Sequence, residues 1–280
     1  MSILLTGSGG QLGRAFLESK TVEELLPLTS AELDVSNLES VRQVIGSYRP
    51  RIVINCAAYT KVDQAEVEPE PAWRVNAVGP RNLAIATAEH GIPLVHVSTD
   101  YVFDGRAERP YHEYDPTGPL SVYGRTKLGG EQGVVAHNPR HYIVRTAWLY
   151  HHDPGPSGNF PLTMLRLAVH GQVRVVSDQY GSPTYAPHLV DAILDLIKTE
   201  AFGTYHLAGR GGTSWYELTR RLYGHMDLSV TVTPVATTEF IRPAPRPRYS
   251  ILKTIQSPMI VLPEWEEGLA GLAKRLKNGT

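Results

Sequence analysis

Residues 3–13 read ILLTGSGGQLG, an apolar strand pattern that runs into Gly7, Gly10 and Gly13. Between a strand and a helix, G-x-x-G-x-x-G spacing permits a tight turn, a close approach of backbone to a pyrophosphate, and close helix–strand packing. The N-terminus of such a helix also attracts negative charge. The stretch therefore predicts a dinucleotide-binding turn, with Gly7 and Gly10 in contact with the ligand. A purely structural turn is the alternative.

Strand and helix patterns alternate through the first half of the chain. Apolar runs predict strands at 2–6, 25–28, 51–55, 94–98 and 141–145. Helical spacing falls between them, at 13–20, 38–48, 70–90 and 121–136. Continuous apolar strands alternating with helices are typical of a parallel sheet that is covered on both faces. We therefore predict an α/β fold with a Rossmann-like, doubly wound parallel sheet.

The second half of the chain has a different sequence pattern, with a long loop and mainly helical segments. A loop rich in Pro and Gly spans 151–159, and helical patterns follow at 160–170, 187–199, 214–225 and 264–277, with a strand at 173–177. We predict an NADP-binding domain over 1–148, to which segments at about 187–210 return. Residues 149–280 then form mainly a smaller substrate-binding domain over the strand ends.

Composition excludes several classes of partner. The chain has 280 residues and a formal net charge of −1, and its basic residues are scattered, which argues against nucleic acid. No apolar run approaches the ~20 residues that span a bilayer, so we expect no membrane partner. The first strand pattern leaves no room for a signal peptide, which favours a cytoplasmic location. The single cysteine, Cys56, permits no internal disulfide.

Tyr123 and Lys127 have the spacing Y-x-x-x-K, which puts both side chains on one face of a helix. A free tyrosine has a pKa of about 10, and a nearby ammonium should lower it. Thr99 follows a predicted strand, at the edge where open α/β sheets bind ligands, and its hydroxyl can polarise a carbonyl. We predict these three as the proton-transfer set. An exposed Tyr–Lys pair and a turn-capping Thr99 are the alternatives.

The second strand pattern ends without an acid, at Leu28-Thr29-Ser30. Dinucleotide sites that prefer NAD usually place an acid there to bind the ribose 2′-hydroxyl. We therefore predict NADPH as cofactor, with NADH as the alternative. Asp34, followed by Val35, should lie near the adenine, and Asp34 also suits a turn or helix cap.

These motifs resemble the extended short-chain dehydrogenase/reductase superfamily, through T-G-x-x-G-x-x-G together with Y-x-x-x-K. Longer runs resemble its dTDP-4-dehydrorhamnose reductase family nearly end to end. The runs are NCAAYTKVDQAE at 55–66, VSTDYVFDG at 97–105, VYGRTKLGGE at 122–131, RTAWLY at 145–150, DQYGSPT at 178–184, and Arg246-Pro247 with Ser250 and Leu252.

The resemblance implies reduction of the 4-keto group of dTDP-4-dehydro-β-L-rhamnose to dTDP-L-rhamnose. Tyr123 would protonate the new hydroxyl oxygen, assisted by Lys127, and Lys127 would also bind the cofactor. The substrate would contact Thr99, Asp100, Trp148, Asn159 and Phe160. The remaining cofactor contacts implied by matching position are Gly10, Gln11, Leu12, Asp34, Val35, Ala58, Tyr59, Thr60 and Tyr123.

The chain departs from relatives that assemble through carboxylates and a metal. Ala15 and Pro187 occupy two of the nearest matching positions, and only Glu266 remains acidic. We therefore expect a monomer or a weak homodimer. The run His151-His152-Asp153 also carries ligand types, but adjacent histidines rarely converge on one ion, so we expect no metal.

Two other functions remain open at this point. One is a reductase for another nucleoside-diphosphate 4-keto-6-deoxysugar, or an epimerase, with the same Tyr–Lys pair. The other is a non-catalytic, NADP-binding regulatory subunit, which the resemblance also covers.

Overall fold

The computed structural model describes residues 2–19 and 24–279, so the final residue of the helix predicted at 13–20 lies outside it. The strands are β1 (Ser2–Thr6), β2 (Glu24–Leu28), β3 (Ile52–Asn55), β4 (Leu94–Thr99), β5 (His141–Thr146), β6 (Leu149–Tyr150), β7 (Gln172–Val176), β8 (Tyr180–Gly181), β9 (Thr184–Tyr185), β10 (Gly203–His206), β11 (Thr213–Ser214) and β12 (Thr231–Val235). The α-helices are α1 (Gln11–Glu18), α2 (Leu38–Tyr48), α3 (Val62–Val67), α4 (Pro69–Trp73), α5 (Gly79–Ala88), α6 (Val122–His137), α7 (Phe160–Leu167), α8 (Ala186–Leu196), α9 (Trp215–His225) and α10 (Trp265–Lys277).

The central sheet has six parallel strands in the order β2-β1-β3-β4-β5-β10. This confirms the predicted α/β, doubly wound class. The strand order reverses between β1 and β3, and open α/β sheets bind their ligands outside the carboxyl ends of the strands at such a switch point. The glycine-rich turn follows β1 at this point.

Both faces of the sheet are buried, which explains the continuous apolar strands. On one face Ile3, Leu5 and Ile54 pack against α1 and α8. On the other face Leu4 and Val53 pack against α2, α5 and α6. The sheet is therefore held rigidly, with its carboxyl edge free for a site.

The helix predicted at 70–90 is interrupted. A π-helical segment, Arg74–Val78, joins α4 to α5. Asn76 in this segment accepts from Tyr59 N at 2.8 Å and donates to Tyr59 O at 3.0 Å and Thr126 Oγ1 at 3.0 Å. Through Asn76, the π-helical segment thus connects the residues after β3 to α6. Short π-helical segments are frequent at functional sites.

The C-terminal half builds a second apolar core. Side chains of α7, α9 and α10 surround the parallel pair β7–β12. Two later segments join the first half, because α8 packs on α1 and β10 pairs with β5. We therefore propose the division into 1–148 and 149–280, with the segments near 187–210 in the first domain.

None of the helices within residues 2–19 and 24–279 has both the length and the apolar character that crossing a membrane requires.

Candidate active site

A cleft of about 490 Å³ opens at the carboxyl edge of the sheet. Its walls come from the glycine-rich turn, the ends of β3, β4 and β5, helix α6, and the aromatic side chains of the C-terminal half. The cleft therefore lies at the strand switch point and between the two halves of the chain. This is where an α/β protein of this topology is expected to bind a ligand.

The glycine-rich turn leaves no room for side chains at two of its positions. Gly7 has φ +69°, and a Cβ there would lie 2.5 Å from Ala57 N. A Cβ on Gly13 would lie 2.5 Å from Gly7 O. Gly10 is the N-cap of α1 and has no side chain that could accept from the N–H groups of the first turn. Gly10, Gln11 and Leu12 line the cleft. The N-terminus of α1 thus faces the cleft, and it fits a pyrophosphate.

The other residues predicted to bind the cofactor divide into two groups. Ala58, Thr60, Tyr123 and Lys127 line the cleft together with the turn. Asp34, Val35 and Tyr59 lie further out: Asp34 accepts from Ser36 N at 2.9 Å, and Val35 is buried. The structure therefore places the first group in the lining of the cleft and the second group outside that lining.

The end of β2 differs from the sequence expectation. Although no acid follows the strand directly, Glu32 folds back so that its carboxylate accepts from Thr29 N at 2.7 Å and from Thr29 Oγ1 at 2.8 Å. These two hydrogen bonds lower the pKa of Glu32, and they bring a carboxylate to the strand end. The sequence pattern missed it because it is the fold of the turn that brings Glu32 back.

Thr99 and Tyr123 meet at the centre of the cleft. Both residues line the cleft, and Thr99 is near enough to Tyr123 to lower the pKa of its hydroxyl against the larger, opposite effect of burial. Thr99 Oγ1 also donates to Asp100 Oδ1 at 3.0 Å and accepts from Tyr101 N at 3.2 Å. Thr99 is the last residue of β4, and Tyr123 lies in the first turn of α6, where Ser121 caps the helix. A carbonyl oxygen placed here would meet the Tyr123 hydroxyl, and it would meet that of Thr99 once the Thr99 proton turns away from Asp100.

Burial sets the proton affinities of the pair on α6. It raises the pKa of Tyr123 to about 12 and lowers the pKa of Lys127 to about 8. We predicted that the ammonium would lower the pKa of Tyr123, and this is wrong for the described structure. Lys127 Nζ donates instead to Val97 O at 2.6 Å. Burial is the largest effect on the pKa of Tyr123. Tyr123 is therefore held protonated at neutral pH, as an acid must be.

Asp100 connects the two halves of the chain. It is 2% exposed, and Ser250 Oγ donates to its Oδ2 at 2.6 Å. Burial is the largest effect on this carboxyl and raises its pKa to about 6, against the opposing hydrogen bonds from Ser250 and Thr99. Asp100 lines the cleft, and its predicted contact with the substrate stays a prediction.

Aromatic rings form the opposite wall. Trp148, at φ +46°, stacks on Trp215 with ring centroids 3.3 Å apart and planes at 5°. Phe160 lies 4.4 Å from the Trp215 ring. The Trp148 indole packs directly on Gly181. A Cβ added to Gly181 would lie only 2.3 Å from Cε2 of the indole. The sequence singled out Trp148 and Phe160 but missed Trp215, which is brought in only by tertiary packing.

Asn159 has a structural position beside the cleft. Its Oδ1 caps α7 by accepting from Leu162 N at 3.0 Å. Its Nδ2 donates to Gln11 Oε1 at 2.9 Å and His151 O at 2.7 Å. The side chain therefore links the start of α1 to the loop before α7, and its predicted substrate contact stays a prediction.

A second space of about 370 Å³ adjoins the cleft and shares Tyr101, Phe160 and Trp215 with it. It is lined by Arg174 and by Arg242 and Arg246, which come from the proline-rich run at 242–248. Arg246 pairs with Asp63 through contacts of 2.8 and 2.9 Å. The spacing of arginines in that run was the one available sequence signal for an anionic ligand here.

Comparison with known proteins identifies the relationship. Residues 1–278 match the family described as RmlD substrate binding domain. The chain belongs to this family. A dTDP-4-dehydrorhamnose reductase of Mycolicibacterium smegmatis is 43% identical over 277 residues, covering 95% of this chain and 83% of the relative.

Two further relatives in this family bear on ligand and substrate. A crystal structure of dTDP-4-dehydrorhamnose reductase from Bacillus anthracis in complex with NADP superposes with a TM-score of 0.93. It is 40% identical and covers 100% of this chain and 99% of its own. A probable dTDP-4,6-dihydroxy-2-methyloxan-3-one 4-ketoreductase of Streptomyces antibioticus is 42% identical over 259 residues, covering 90% and 86% of the two chains.

Proposed function

We propose that this chain reduces the 4-keto group of dTDP-4-dehydro-β-L-rhamnose to dTDP-L-rhamnose with NADPH. The observation that carries the proposal is that Thr99 and Tyr123 line the same cleft as the glycine-rich turn. Family membership supplies the substrate class, since the relatives act on dTDP-linked 4-keto sugars by name.

Within this cleft the residues divide the work of a carbonyl reduction. A reduced nicotinamide held in this cleft would supply the hydride for the carbonyl carbon. Tyr123 donates its proton to the carbonyl oxygen, and Thr99 turns its hydroxyl proton from Asp100 to the same oxygen. The raised pKa of Tyr123 keeps that proton in place until charge develops on the oxygen. Lys127 lies one helical turn along α6 and would hold the nicotinamide ribose and help return a proton to Tyr123.

NADPH is the cofactor in this proposal, and the turn at Gly7, Gly10 and Gly13 fits its pyrophosphate. The relative from Bacillus anthracis supports the choice, because its structure contains NADP. The Glu32 carboxylate at the end of β2 argues against NADPH, because its negative charge would repel the 2′-phosphate. We therefore expect that NADPH binding displaces Glu32 from Thr29, and that Glu32→Gln raises the preference for NADPH over NADH by several-fold.

The nucleoside diphosphate of the substrate would extend from the cleft into the adjoining space. Arg174, Arg242 and Arg246 offer positive charge there, and Phe160 and Trp215 offer flat apolar surfaces. Guanidinium groups suit phosphate oxygens, and stacked rings suit a base. The sugar would then lie between Trp148 and Tyr123.

A second candidate is the reduction of a different dTDP-linked 4-keto sugar. It is favoured by the Streptomyces antibioticus relative, which is named for activity on another sugar and has a similar level of identity. Both candidates use the same Thr99–Tyr123 pair and differ only in the sugar contacts.

The test is NADPH oxidation with each keto sugar prepared in situ, followed by identification of the sugar product. Rapid oxidation with dTDP-4-dehydro-β-L-rhamnose and slow oxidation with other dTDP-keto sugars would support the first candidate. The reverse order would support the second. Absence of oxidation with every keto sugar, despite bound NADPH, would refute a reductase.

The proposal also includes a cytoplasmic location and a monomer or weak homodimer. Ala15 supports the latter, because it is 4% exposed and packed in the core, where it offers no metal ligand to a partner. Light scattering over a range of concentrations, with and without Mg²⁺, tests the oligomeric state. A stable dimer that forms only with Mg²⁺ would contradict it.

A further inference from the structure

A cluster of ligand-type side chains lies outside the cleft, where α1 ends against the loop that follows β6. Glu18 is the last residue of α1, and His151 and His152 are the first two residues after β6. One ligand atom from each of these three residues lies within 4.8 Å of the other two. Adjacent histidines thus converge here, although the sequence alone argued against it.

The geometry of His151 is that of a metal ligand with a free lone pair. The side chain is 0% exposed, and its Nδ1 hydrogen-bonds to Asp153 O at 2.9 Å. Because a carbonyl can only accept, Nδ1 carries the proton and Nε2 has its lone pair exposed to the cluster. His151 Nε2 is buried, has no hydrogen-bond partner among the described residues, and lies 3.9 Å from Glu18 Oε2.

The other two groups complete a partial coordination sphere. His152 Nε2 lies 3.1 Å from Glu18 Oε1, and the two imidazole rings are 4.0 Å apart between centroids. Two imidazole nitrogens and one carboxylate oxygen form a donor set that Zn²⁺ accepts, with water in the fourth position. Imidazole donors favour Zn²⁺, Co²⁺ or Ni²⁺ over Mg²⁺ and Ca²⁺.

We propose that Glu18, His151 and His152 form a binding site for a divalent transition metal ion of the zinc class. The unpartnered, fully buried His151 Nε2 is the observation that an ordinary ion pair between Glu18 and His152 leaves unexplained. The positive charge of Arg275 would repel the ion, because its Nη2 lies 3.5 Å from Glu18 Oε2.

An ion at this site would fix the loop against the cofactor half of the chain. The same loop contacts the glycine-rich turn, because Arg14 donates to Gly9 O at 3.1 Å and to Asp153 Oδ2 at 2.6 Å. Asn159, further along the loop, bonds Gln11. Metal binding would therefore hold 151–159 on α1 and raise the thermal stability of the fold by mass action.

The experiment is a titration of tag-free, chelator-treated protein with Co²⁺, followed by its visible absorption and then by displacement with Zn²⁺. We expect one Co²⁺ per chain with the strong absorption of a tetrahedral site, complete displacement by Zn²⁺, and no displacement by millimolar Mg²⁺. No Co²⁺ or Zn²⁺ binding by folded protein would overturn the proposal. Displacement by Mg²⁺ would overturn the assignment to imidazole ligands.

Variants separate the site from general surface binding. Glu18→Gln and His152→Gln should each weaken Zn²⁺ binding about 100-fold or more, beyond the 10–100-fold that loss of an outer-shell partner costs. Exposed Glu39→Gln and His170→Gln are matched controls and should bind as the wild type does. Arg275→Gln should tighten binding several-fold, because it removes the opposing charge.

Thermal unfolding with and without Zn²⁺ distinguishes a ligand role from a structural one. We expect Zn²⁺ to raise the melting temperature of the wild type and the controls, but not that of Glu18→Gln or His152→Gln. Equal Zn²⁺-induced shifts in all five proteins would place the ion elsewhere and refute the site. The Arg275→Gln arm retains all three ligands, so it remains informative if a ligand variant folds poorly.

Discussion

Two walls of the site are built in different ways, one in the cleft and one in the space that adjoins it. The β4–α6 wall carries Thr99, Asp100, Tyr123 and Lys127, and its residues come from one strand end and the first two turns of one helix. The arginine wall carries Arg174, Arg242 and Arg246 with Phe160 and Trp215, and its residues come from four separate stretches of the chain. Proton transfer needs fixed positions, which regular elements provide, whereas recognition of a large ligand needs a broad surface, which only tertiary packing assembles.

The burial of charge follows the same division. On the β4–α6 wall, burial raises the pKa of Tyr123 to about 12 and that of Asp100 to about 6. On the arginine wall, Arg174 and Arg242 remain 63% and 50% exposed. We infer that the first wall performs the chemistry and the second binds the nucleotide, and four substitutions test this division.

Tyr123→Phe should have the largest effect. It removes the proton donor and leaves the ring, so we expect turnover to fall about 100-fold or more while NADPH binds within about twofold of wild type. Stopped-flow oxidation of NADPH and a separate cofactor titration measure the two quantities. Tyr48→Phe, an exposed hydroxyl on α2, is the control. Turnover near the wild-type level would remove Tyr123 from the mechanism.

Asp100→Asn should reveal the cost of burying a carboxylate. The folded pKa of about 6 lies above the ordinary aspartate value of 3.8, so the folded state holds this proton more tightly than the unfolded state. The contribution of Asp100 to the free energy of unfolding is therefore greatest below pH 4 and declines by about 3 kcal/mol in total as pH rises through 6 to 7. Denaturant unfolding of wild type and variant between pH 4 and 7 measures the difference. A pH-independent difference would contradict the raised pKa.

Gly181→Ala should disturb the stacked tryptophans. A Cβ would lie 2.3 Å from the Trp148 indole, which is itself stacked on Trp215, so the rings must shift. We expect a loss of about 1–3 kcal/mol in the free energy of unfolding, typical of overpacking, together with weaker substrate binding. Gly224→Ala is the matched control, since a Cβ there meets open space. Equal stability of the two variants would show that the stack has room to move.

Arg242→Gln should have the smallest effect and should be confined to binding. We expect KM for the dTDP-sugar to rise about tenfold, the equivalent of about 1.4 kcal/mol, with kcat within twofold of wild type. Arg220→Gln is the control, because Arg220 is also an exposed arginine beside an aromatic ring, but lies outside both spaces. A fall in kcat at unchanged KM would contradict a binding role.

The difference between the walls also explains what the sequence could predict. The apolar strands, the glycine spacing and the carboxyl end of β4 define the α/β class, and they predict the meeting of Thr99 with Tyr123 from local rules. A parallel sheet brings consecutive strand ends to one edge, so motifs at those ends become neighbours without any knowledge of side-chain packing.

The remainder depends on contacts between distant segments. Trp215 reaches the cleft only because α9 packs beside β7, and Glu32 reaches Thr29 only through the turn after β2. The shifted pKa of Tyr123 depends on burial, which a spacing motif does not contain. The strand β10 went unpredicted because it is only four residues long and begins at a glycine.

The most direct measurement is the rate of a single turnover, with NADPH bound and the dTDP-sugar at saturation, in wild type, Tyr123→Phe and Arg242→Gln. Saturation removes differences in binding, so the rate reports chemistry alone. We predict that Tyr123→Phe slows this step about 100-fold or more, whereas Arg242→Gln reaches the wild-type rate. A slow step in Arg242→Gln, or a normal one in Tyr123→Phe, would contradict the division of the site into a chemical wall and a binding wall.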